Sequence, residues 1–367
     1  MSKSILSPAT SWKMDPHIWS QLPEELLEHI LCFLPVMNVF NLASKYKRLN
    51  SLIFKPSFIS RYYSVSRSSA SSSFLLLAHP YFDQHFLLYD FVLGTWTELS
   101  FSIEPCIPSS SLQTTSNGLQ CFSIPNSSSF LVCNLLCKSS WVVEFPTLQS
   151  SFDLLTLVSI REGFKIFIIS SGPSLNFAFL YDSRSRSWSQ FEGFGRGENY
   201  YQPGVCRNDY LYFTTTTLGS PSVVCFDMES GKWRSVSGEL PRELTFARLV
   251  GDGEGRLYMI GGVGRNGISR CLRLWELGAG ENWVEMETLP DMMYRKLVSV
   301  WYHNYEHVYC FWHQGLICIG CYTWPEILYY KVARRTWHWL PKCPSLPDNW
   351  RCGFKWFSFV PELCASV

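Results

Sequence analysis

One histidine pair has the spacing of a metal-hydrolase motif. The run His303-Asn-Tyr-Glu-His307 matches an inverted zinc-protease pattern, in which two histidines bind the metal. That chemistry requires both histidines on one face of a helix, one turn apart. Here the pair flanks a predicted turn between two strands, so we expect no catalytic zinc.

A second group of metal-binding residue types follows closely. Cys318 and Cys321 have the spacing of half a zinc site, and Cys310 and His313 lie nearby in the sequence. A structural zinc requires four convergent ligands, and the chain has no second paired knuckle. We therefore predict no metal site.

A glycine-rich run, Gly262-Val-Gly-Arg-Asn-Gly267, fits the dinucleotide-binding fingerprint. A strand pattern follows it instead of a helix, and no βαβ unit surrounds it, so it predicts a turn between two strands. The chain also lacks a Gly-x-Ser-x-Gly elbow and a phosphate-binding loop. We predict no catalytic residue and no cofactor, and hence a protein that is not an enzyme.

The composition limits the class of protein further. The chain has 367 residues, 47% of them hydrophobic, which is enough for one large domain and a small one. A net charge of +1 argues against a direct nucleic-acid partner. No signal-peptide pattern and no membrane-spanning apolar run is present. We expect its 14 cysteines to stay reduced, in the nucleus, the cytoplasm or both.

The elements that must position functional residues begin with a helical pattern over residues 22–35. Apolar residues recur there at helical spacing, at Leu26, Leu27, Ile30, Leu31 and Leu34. Pro23 suits the first turn and Pro35 stops the helix. A helix this short needs partners for its apolar face.

Two further helical patterns follow before residue 63, with a break at Lys55-Pro56. Three short helices bury little apolar surface on their own, which is typical of a docking module. Between His29 and Phe82 the chain has six Lys or Arg residues and no Asp or Glu. This charge distribution favours an acidic partner.

The chain begins with a predicted disordered segment at 1–16, followed by the helical module at 17–63 and a serine-rich hinge at 64–73. A repeat begins after the hinge. An apolar strand, a polar residue, a turn and a tryptophan recur six times, at spacings of 45, 47, 45, 50 and 54 residues. The tryptophans are Trp96, Trp141, Trp188, Trp233, Trp283 and Trp337. The period is typical of a propeller with four-stranded blades. We predict that these tryptophans pack between adjacent blades.

Each repeat also has an earlier predicted strand. These strands are Phe74–Ala78, Leu119–Ile124, Phe164–Ile169, Tyr210–Thr215, Arg256–Ile260 and His307–Trp312. The fifth ends at the pair Gly261-Gly262, which we expect to serve a tight turn.

The sequence also indicates how the propeller closes. Repeats two to six have an additional strand before this one, for example Phe246–Val250 and Leu297–Tyr302, and the first repeat lacks it. The run 352–360 is a strand without a blade of its own. We predict that it completes blade one and removes an open edge, leaving 362–367 as a tail.

The longest predicted loops are candidates for target recognition. They are Pro105–Gly118, Gly193–Pro203 and Pro341–Trp350. The second carries Phe194, Arg196, Tyr200 and Tyr201, and such residues are favoured at interface hot spots. We predict that these four contact a target protein.

The combined pattern resembles the plant F-box/kelch-repeat family, including its floral-organ and leaf-development branch. The module resembles an F-box at Leu22-Pro23, Leu26-Leu27, Ile30-Leu31 and Leu34-Pro35, and residues 74–361 resemble kelch repeats. The resemblance implies an α+β multidomain chain. It would have a small three-helix F-box and an all-β, six-bladed kelch-type propeller.

The resemblance also implies a function. Such proteins are substrate receptors of SCF ubiquitin ligases, in which the F-box binds a Skp-type adaptor and, through it, cullin and a RING subunit. The implied adaptor-binding residues are Leu22, Pro23, Leu26, Leu27, Ile30, Leu31, Leu34, Pro35, Leu49, Leu52 and Ile53, the last three partly inside the module. The propeller would bind a target protein.

Two alternatives remain open at this point. The first is a scaffold or transcriptional co-regulator with little target degradation. It gains weight because the family's Val-Cys-Lys-x-Trp-like run is replaced here by Lys45, Tyr46, Lys47 and Leu49. The second is a propeller enzyme or glycan binder, since a propeller channel can contain a site that sequence spacing does not reveal.

Overall fold

The computed structural model describes two compact units, a helical unit that ends before Ser73 and a β unit from Ser73 onward. The described residues are 16–66, 73–83, 85–100, 107–137, 139–146, 152–171, 176–195, 199–200, 202–217, 220–236, 238–301, 305–346, 352–363, 365 and 367. None of the helices described is both long and apolar enough to span a membrane. Residues 1–15 of the predicted disordered segment and 67–72 of the predicted hinge lie outside the described residues.

The described part of the helical unit contains five helices. They are Pro16–Gln21 (α1), Glu24–Cys32 (α2), Val36–Lys45 (α3), Lys47–Ile53 (α4) and Pro56–Ser66 (α5). The predicted helical module is confirmed, but it is divided into five helices instead of three. Pro23 and Pro35 have ψ of 145° and 141°, and Tyr46 is extended, so each interrupts the helical backbone. Helix α5 continues through Ser66, where a hinge was predicted.

The described residues of the β unit form six antiparallel sheets. The strands of blade one are Phe74–Ala78 (β1), His85–Asp90 (β2) and Thr95–Ser100 (β3), and those of blade two are Leu112–Ser116 (β4), Leu119–Ser123 (β5), Ser129–Asn134 (β6) and Ser139–Glu144 (β7). The strands of blade three are Leu154–Ile160 (β8), Gly163–Ser171 (β9), Asn176–Asp182 (β10) and Ser187–Glu192 (β11). The strands of blade four are Asn199–Tyr200 (β12), Val205–Arg207 (β13), Tyr210–Thr217 (β14), Ser220–Asp227 (β15) and Trp233–Ser235 (β16).

The last two blades complete the ring. The strands of blade five are Leu244–Gly251 (β17), Leu257–Arg265 (β18), Ile268–Leu277 (β19) and Trp283–Thr288 (β20). The strands of blade six are Val308–His313 (β21), Leu316–Cys321 (β22), Trp324–Lys331 (β23) and Thr336–Trp339 (β24). A helix, Asp291–Trp301 (α6), joins these two blades. The six-bladed propeller that the repeat predicts is confirmed.

The closing strand is Lys355–Phe359 (β25). It pairs antiparallel with β1, from Phe74 opposite Phe359 to Ala78 opposite Lys355, and forms the innermost strand of blade one. Trp356 is buried in this strand, against residues of blades six and one. The sheet of blade one therefore joins the two ends of the propeller chain, as the unpaired run 352–360 predicts.

The repeated polar residue and tryptophan have separate structural roles. Asp90 Oδ1 accepts hydrogen bonds from the backbone amides of Val92 (2.7 Å) and Leu93 (3.0 Å), and Asp227 does the same for Glu229 and Ser230. These bonds form the turn between the third and fourth strands of a blade. The tryptophan that follows packs in the apolar core between neighbouring blades, as predicted; Trp188 also donates to the carbonyl of Glu144 in the preceding blade, at 2.8 Å.

Two predictions about blades five and six are wrong. The segment Leu297–Tyr302 was expected to be a strand, but 297–301 belong to α6, and β21 is the first strand of blade six, not its second. The pair Gly261-Gly262 lies inside β18, not in a turn. A Cβ on Gly261 would lie 2.8 Å from the carbonyl oxygen of Phe246, so this pair permits close packing of β17.

Candidate functional surfaces of the two units

Helix α2 has two apolar faces with different surroundings. Leu27 and Leu31 are 1% exposed and pack inside the helical unit. Leu26 is 49% exposed and Phe33, just after the helix, is 65% exposed, with half-buried Ile30 between them. The i, i+4, i+7 spacing places Leu26, Ile30 and Phe33 on one outward face. We call these three residues the α2 stripe.

Burial divides the other residues predicted to bind an adaptor. Leu22 and Leu34 are half-buried, whereas Pro23 and Pro35 are exposed. Leu49, Leu52 and Ile53, expected to be partly inside the module, are buried completely. Contact with a partner is therefore open to the α2 stripe and its neighbours, while Leu27, Leu31 and the α4 residues form the core beneath.

Polar contacts hold the helices beneath this stripe. Arg48 donates to the carbonyl oxygens of Trp19 (3.2 Å), Ser20 (2.8 Å) and Leu22 (2.7 Å), where α1 ends and the chain turns into α2. Cationic groups at helix C-termini stabilise the unpaired carbonyls there. This role of Arg48 was not foreseen, because neither apolar periodicity nor charge runs indicate a contact across 26 residues.

The basic segment of the helical unit is partly neutralised within the unit. Lys55 forms an ion pair with Glu24, and Arg61 lies 3.7 Å from the buried carboxylate of Glu28. Lys45 and Lys47 are exposed, and neither forms an ion pair in the part of the chain described. A positive surface therefore remains at the junction of α3 and α4.

The innermost strands of the six blades line a central cavity of about 920 Å³. The lining includes Lys355 of β25, whose ammonium group donates to the carbonyl oxygens of Ser110 and Leu112, at 3.3 Å each. Burial lowers the pKa of Lys355 below its ordinary value. The volume is within the range of small-molecule sites, but size alone does not assign a ligand.

The described residues of the histidine motif lie in a short helix, and Cys310 of the cysteine motif lies in the apolar core. His303 lies outside the described residues, and Tyr305–His307 form a short 3-10 helix after α6, so the expected turn between two strands is wrong. Burial raises the pKa of Cys310 to about 12, and Cys310 belongs to the core between blades five and six. Among the described residues no three His, Cys, Asp or Glu side chains are grouped so as to hold a metal ion.

The glycine-rich run is a hairpin, as predicted. Asn266 and Gly267 have φ of 55° and 75° and connect β18 to β19. Two consecutive positive φ values are typical of a tight hairpin turn, for which Asn-Gly is the favoured pair.

The predicted target-binding residues fall in different environments. Phe194 is half-buried and its ring lies 5.9 Å from that of Trp233, so it packs on blade four. Tyr200 lies in the short strand β12, which pairs with β14. Arg196 and Tyr201 lie outside the described residues. The predicted loop Pro105–Gly118 contains β4 and is therefore partly a blade strand.

Comparisons with known proteins agree with both units. The family model of the F-box domain matches residues 19–61. An F-box/kelch-repeat protein of Arabidopsis thaliana is 47% identical over 100% of this chain and 92% of its own length. Protein UNUSUAL FLORAL ORGANS of the same plant is 24% identical over 92% of this chain and 82% of its own length.

A solved structure supports the fold alone. A chain in the crystal structure of a nidogen/laminin complex matches 79% of this chain and 99% of its own length, at 10% identity and a TM-score of 0.50. Three findings together identify the family: the F-box match, the closed ring of six blades and the full-length similarity at 47% identity. The chain belongs to the F-box/kelch-repeat proteins.

Proposed function

We propose that this protein is the substrate-recognition subunit of an SCF ubiquitin ligase. Its helical unit binds a Skp-type adaptor, which in turn holds cullin and a RING subunit, and its propeller binds the protein to be ubiquitinated. The observation that carries this proposal is the exposed α2 stripe, within the residues that match the F-box domain. A folded helical unit with an apolar outward face needs a partner to cover it.

The size of the stripe fits a stable but reversible contact. Burying a fully exposed Leu or Phe contributes about 1.5–3 kcal/mol. With Leu26 49% and Phe33 65% exposed, the two together contribute about 2–3 kcal/mol, or about 30- to 150-fold in Kd. The exposed Lys45 and Lys47 add attraction toward an acidic adaptor.

In this role the protein performs no chemistry of its own. By holding a target near the charged conjugating enzyme, it raises the effective concentration of the target's lysines. The protein acts in the nucleus, the cytoplasm or both, where that machinery is present.

Adaptor co-purification tests the proposal. Leu26→Ala with Phe33→Ala should lower the affinity for a purified Skp-type adaptor by about 30-fold or more. Val92→Ala with Leu93→Ala removes two apolar side chains of comparable exposure from a propeller turn and should leave the affinity unchanged. Equal adaptor recovery by both variants, with melting temperatures unchanged, would refute the proposed contact.

A second measurement addresses the consequence of binding. Targets recovered with the full chain should have shorter half-lives in cells that express it than in cells that express the Leu26→Ala, Phe33→Ala variant. Equal half-lives, with the target still bound, would instead indicate a scaffold that does not promote degradation.

A further inference from the structure

The strand order gives the propeller two unlike faces. Because neighbouring strands of each blade are antiparallel, the connections between blades and the hairpins between the second and third strand positions lie on one face. In blade four the short strands β12 and β13 both pair with β14 and together take the first position. We call this the connection face. The remaining hairpins, between first and second and between third and fourth strands, lie on the opposite face, which we call the closure face.

The closure face contains the two ends of the propeller chain. Ser73 enters it next to the end of β25. Beyond β25, Asn134 Nδ2 donates to the carbonyl oxygens of Glu362 (2.8 Å) and Ala365 (3.2 Å), and Leu363 is buried. The described residues of the segment predicted as a tail therefore pack against blade two and cover part of this face.

The connection face carries α6, the one α-helix among the described residues of the propeller, between blades five and six. Tyr294 donates its hydroxyl to the carbonyl of Ser269 at 2.6 Å, and Leu297 is buried. The ammonium group of Lys296 lies 4.1 Å from the centroid of the Trp339 ring and pairs with Glu326. Helix α6 is thus fixed beside the β18–β19 hairpin.

Exposed apolar and cationic side chains lie on both elements, the helix and the hairpin beside it. Met292 is 83% exposed and Ile268 is 52% exposed. Arg270 and Arg295 are exposed, and each is next in sequence to one member of the Ser269–Tyr294 contact. Neither forms an ion pair within the described residues, whereas the neighbouring Arg265 is paired with Glu243 at 2.7 Å.

We infer that this surface (Ile268, Arg270, Met292 and Arg295, the α6 surface) binds an acidic segment of the target protein that also presents a large apolar side chain. Unpaired guanidinium groups favour carboxylates, with which they form bidentate hydrogen bonds. Met and Arg are enriched at the centres of protein interfaces. The exposed Ile268 and Met292 favour a protein over a nucleic-acid backbone, which offers phosphates but no apolar complement. This inference rests on the proposed receptor function and names the chemistry of the target.

A peptide selection on the full chain tests this inference. A phage-displayed library of random 12-residue peptides is selected on the wild type, and the selected peptides are measured against two variants. Arg270→Glu with Arg295→Glu reverses the charge of the α6 surface. Arg161→Glu with Arg334→Glu makes the same charge change at two exposed turns of the closure face.

The expected peptides are net acidic and contain at least one large apolar residue. The first variant should weaken their binding by about tenfold or more, because it removes two ion pairs with the peptide and adds charge repulsion, and the second variant should not. Met292→Asp should weaken the same peptides, and binding should weaken with added salt. Peptides without acidic bias, or with equal affinity for both charge variants, would overturn the inference, as would charge-dependent binding of a DNA duplex in place of the peptides.

Adaptor recovery is measured on the same variants, so that two failures can be told apart. If the adaptor binds normally and no charge-dependent peptide is found, only the inference about the α6 surface fails. If the wild type does not bind the adaptor, the proposed receptor function fails instead.

Discussion

His313 is a buried histidine at the point where the propeller closes. Its Nδ1 lies 2.9 Å from Ser358 Oγ in β25, and its Nε2 lies 3.3 Å from Ser73 Oγ before β1. The side chain is 1% exposed, and burial lowers its pKa from 6.5 to about 4. A neutral imidazole therefore bridges blade six to both ends of the propeller chain.

This environment predicts a pH-dependent stability with a definite sign. Between pH 6.5 and about 4 the unfolded chain accepts a proton at this position that the folded protein excludes. The contribution of neutral His313 to the free energy of unfolding is therefore complete above pH 6.5 and is lost as the pH falls toward 4. Below pH 4 this contribution changes little. At about 1.4 kcal/mol per pH unit, the interval corresponds to about 3 kcal/mol.

The comparison of wild type with His313→Gln isolates this contribution. Glutamine retains a hydrogen-bonding amide but does not titrate, while all carboxylates and lysines remain common to both proteins. Urea unfolding is followed by tryptophan fluorescence at several pH values from 7.5 to 4. We expect the wild type to lose about 3 kcal/mol more than the variant over this range. Parallel loss in both proteins would refute the reasoning, because it would show that His313 titrates alike in the folded and unfolded states.

Three further predictions concern the fold. Truncation after Pro347 removes β25 and its buried aromatic residues. Replacing a single buried Phe or Trp by Ala already costs about 3–5 kcal/mol, against a total free energy of unfolding of about 5–15 kcal/mol. Calorimetry should therefore show no cooperative propeller transition, and a transition near the full-length temperature would contradict the closure. Gly262→Ala places a Cβ against Ser269 and Phe246 and should lower the free energy of unfolding by about 1–3 kcal/mol. In the control Gly278→Ala the atom nearest to the new Cβ is 3.4 Å away, so the urea midpoint should change little. Equal midpoints of the two variants would exclude tight packing at β18. Arg48→Ala removes three hydrogen bonds to carbonyl groups at the end of α1. If this lowers the local stability by about 1.4 kcal/mol, amide hydrogen exchange in α1 should become about tenfold faster. Unchanged exchange would argue against a stabilising role of Arg48.

The sequence was sufficient for the repeat and its closure because each blade buries both faces of its sheet. In β9, Phe164, Ile166 and Ile168 pack toward blade two, while Phe167 and Ile169 pack toward blade four. Such strands are predominantly apolar and bounded by turns, so their number and spacing can be read from the sequence. Because repeat one lacks a first strand, blade one needs a strand from elsewhere in the chain, and β25 supplies it.

The helix α6 shows where local patterns were insufficient. The alternation Leu-Val-Ser-Val-Trp over 297–301 predicts a strand, and β-branched residues favour that state. Pro290 and Asp291 supply a helix start, and Tyr294 and Leu297 pack inward only in a helix. The contact with Ser269 in blade five is a tertiary interaction, and it overrides the weak local propensity.

The division of α2 into two faces was also beyond sequence reasoning. Leu26 and Leu27 are adjacent and equally apolar, so periodicity places both on a buried face. The contacts of α2 with α4 and α5 leave Leu27 inside and Leu26 outside. Which half of an apolar helix remains free for a partner depends on the packing of its neighbours.

The two unlike faces of the propeller contribute differently to stability and to the proposed recognition of a target. On the closure face, the ring is held together by contacts of His313, Ser73, the end of β25 and the C-terminal residues Glu362 and Ala365. A change there therefore alters the free energy of unfolding. On the connection face, Ile268, Arg270, Met292 and Arg295 project from elements that are held by other residues, Tyr294 and Leu297 among them. Exposed side chains outside such contacts usually change stability by no more than about 0.5 kcal/mol when substituted. The α6 surface can therefore change its binding specificity while the closed ring beneath it keeps its fold.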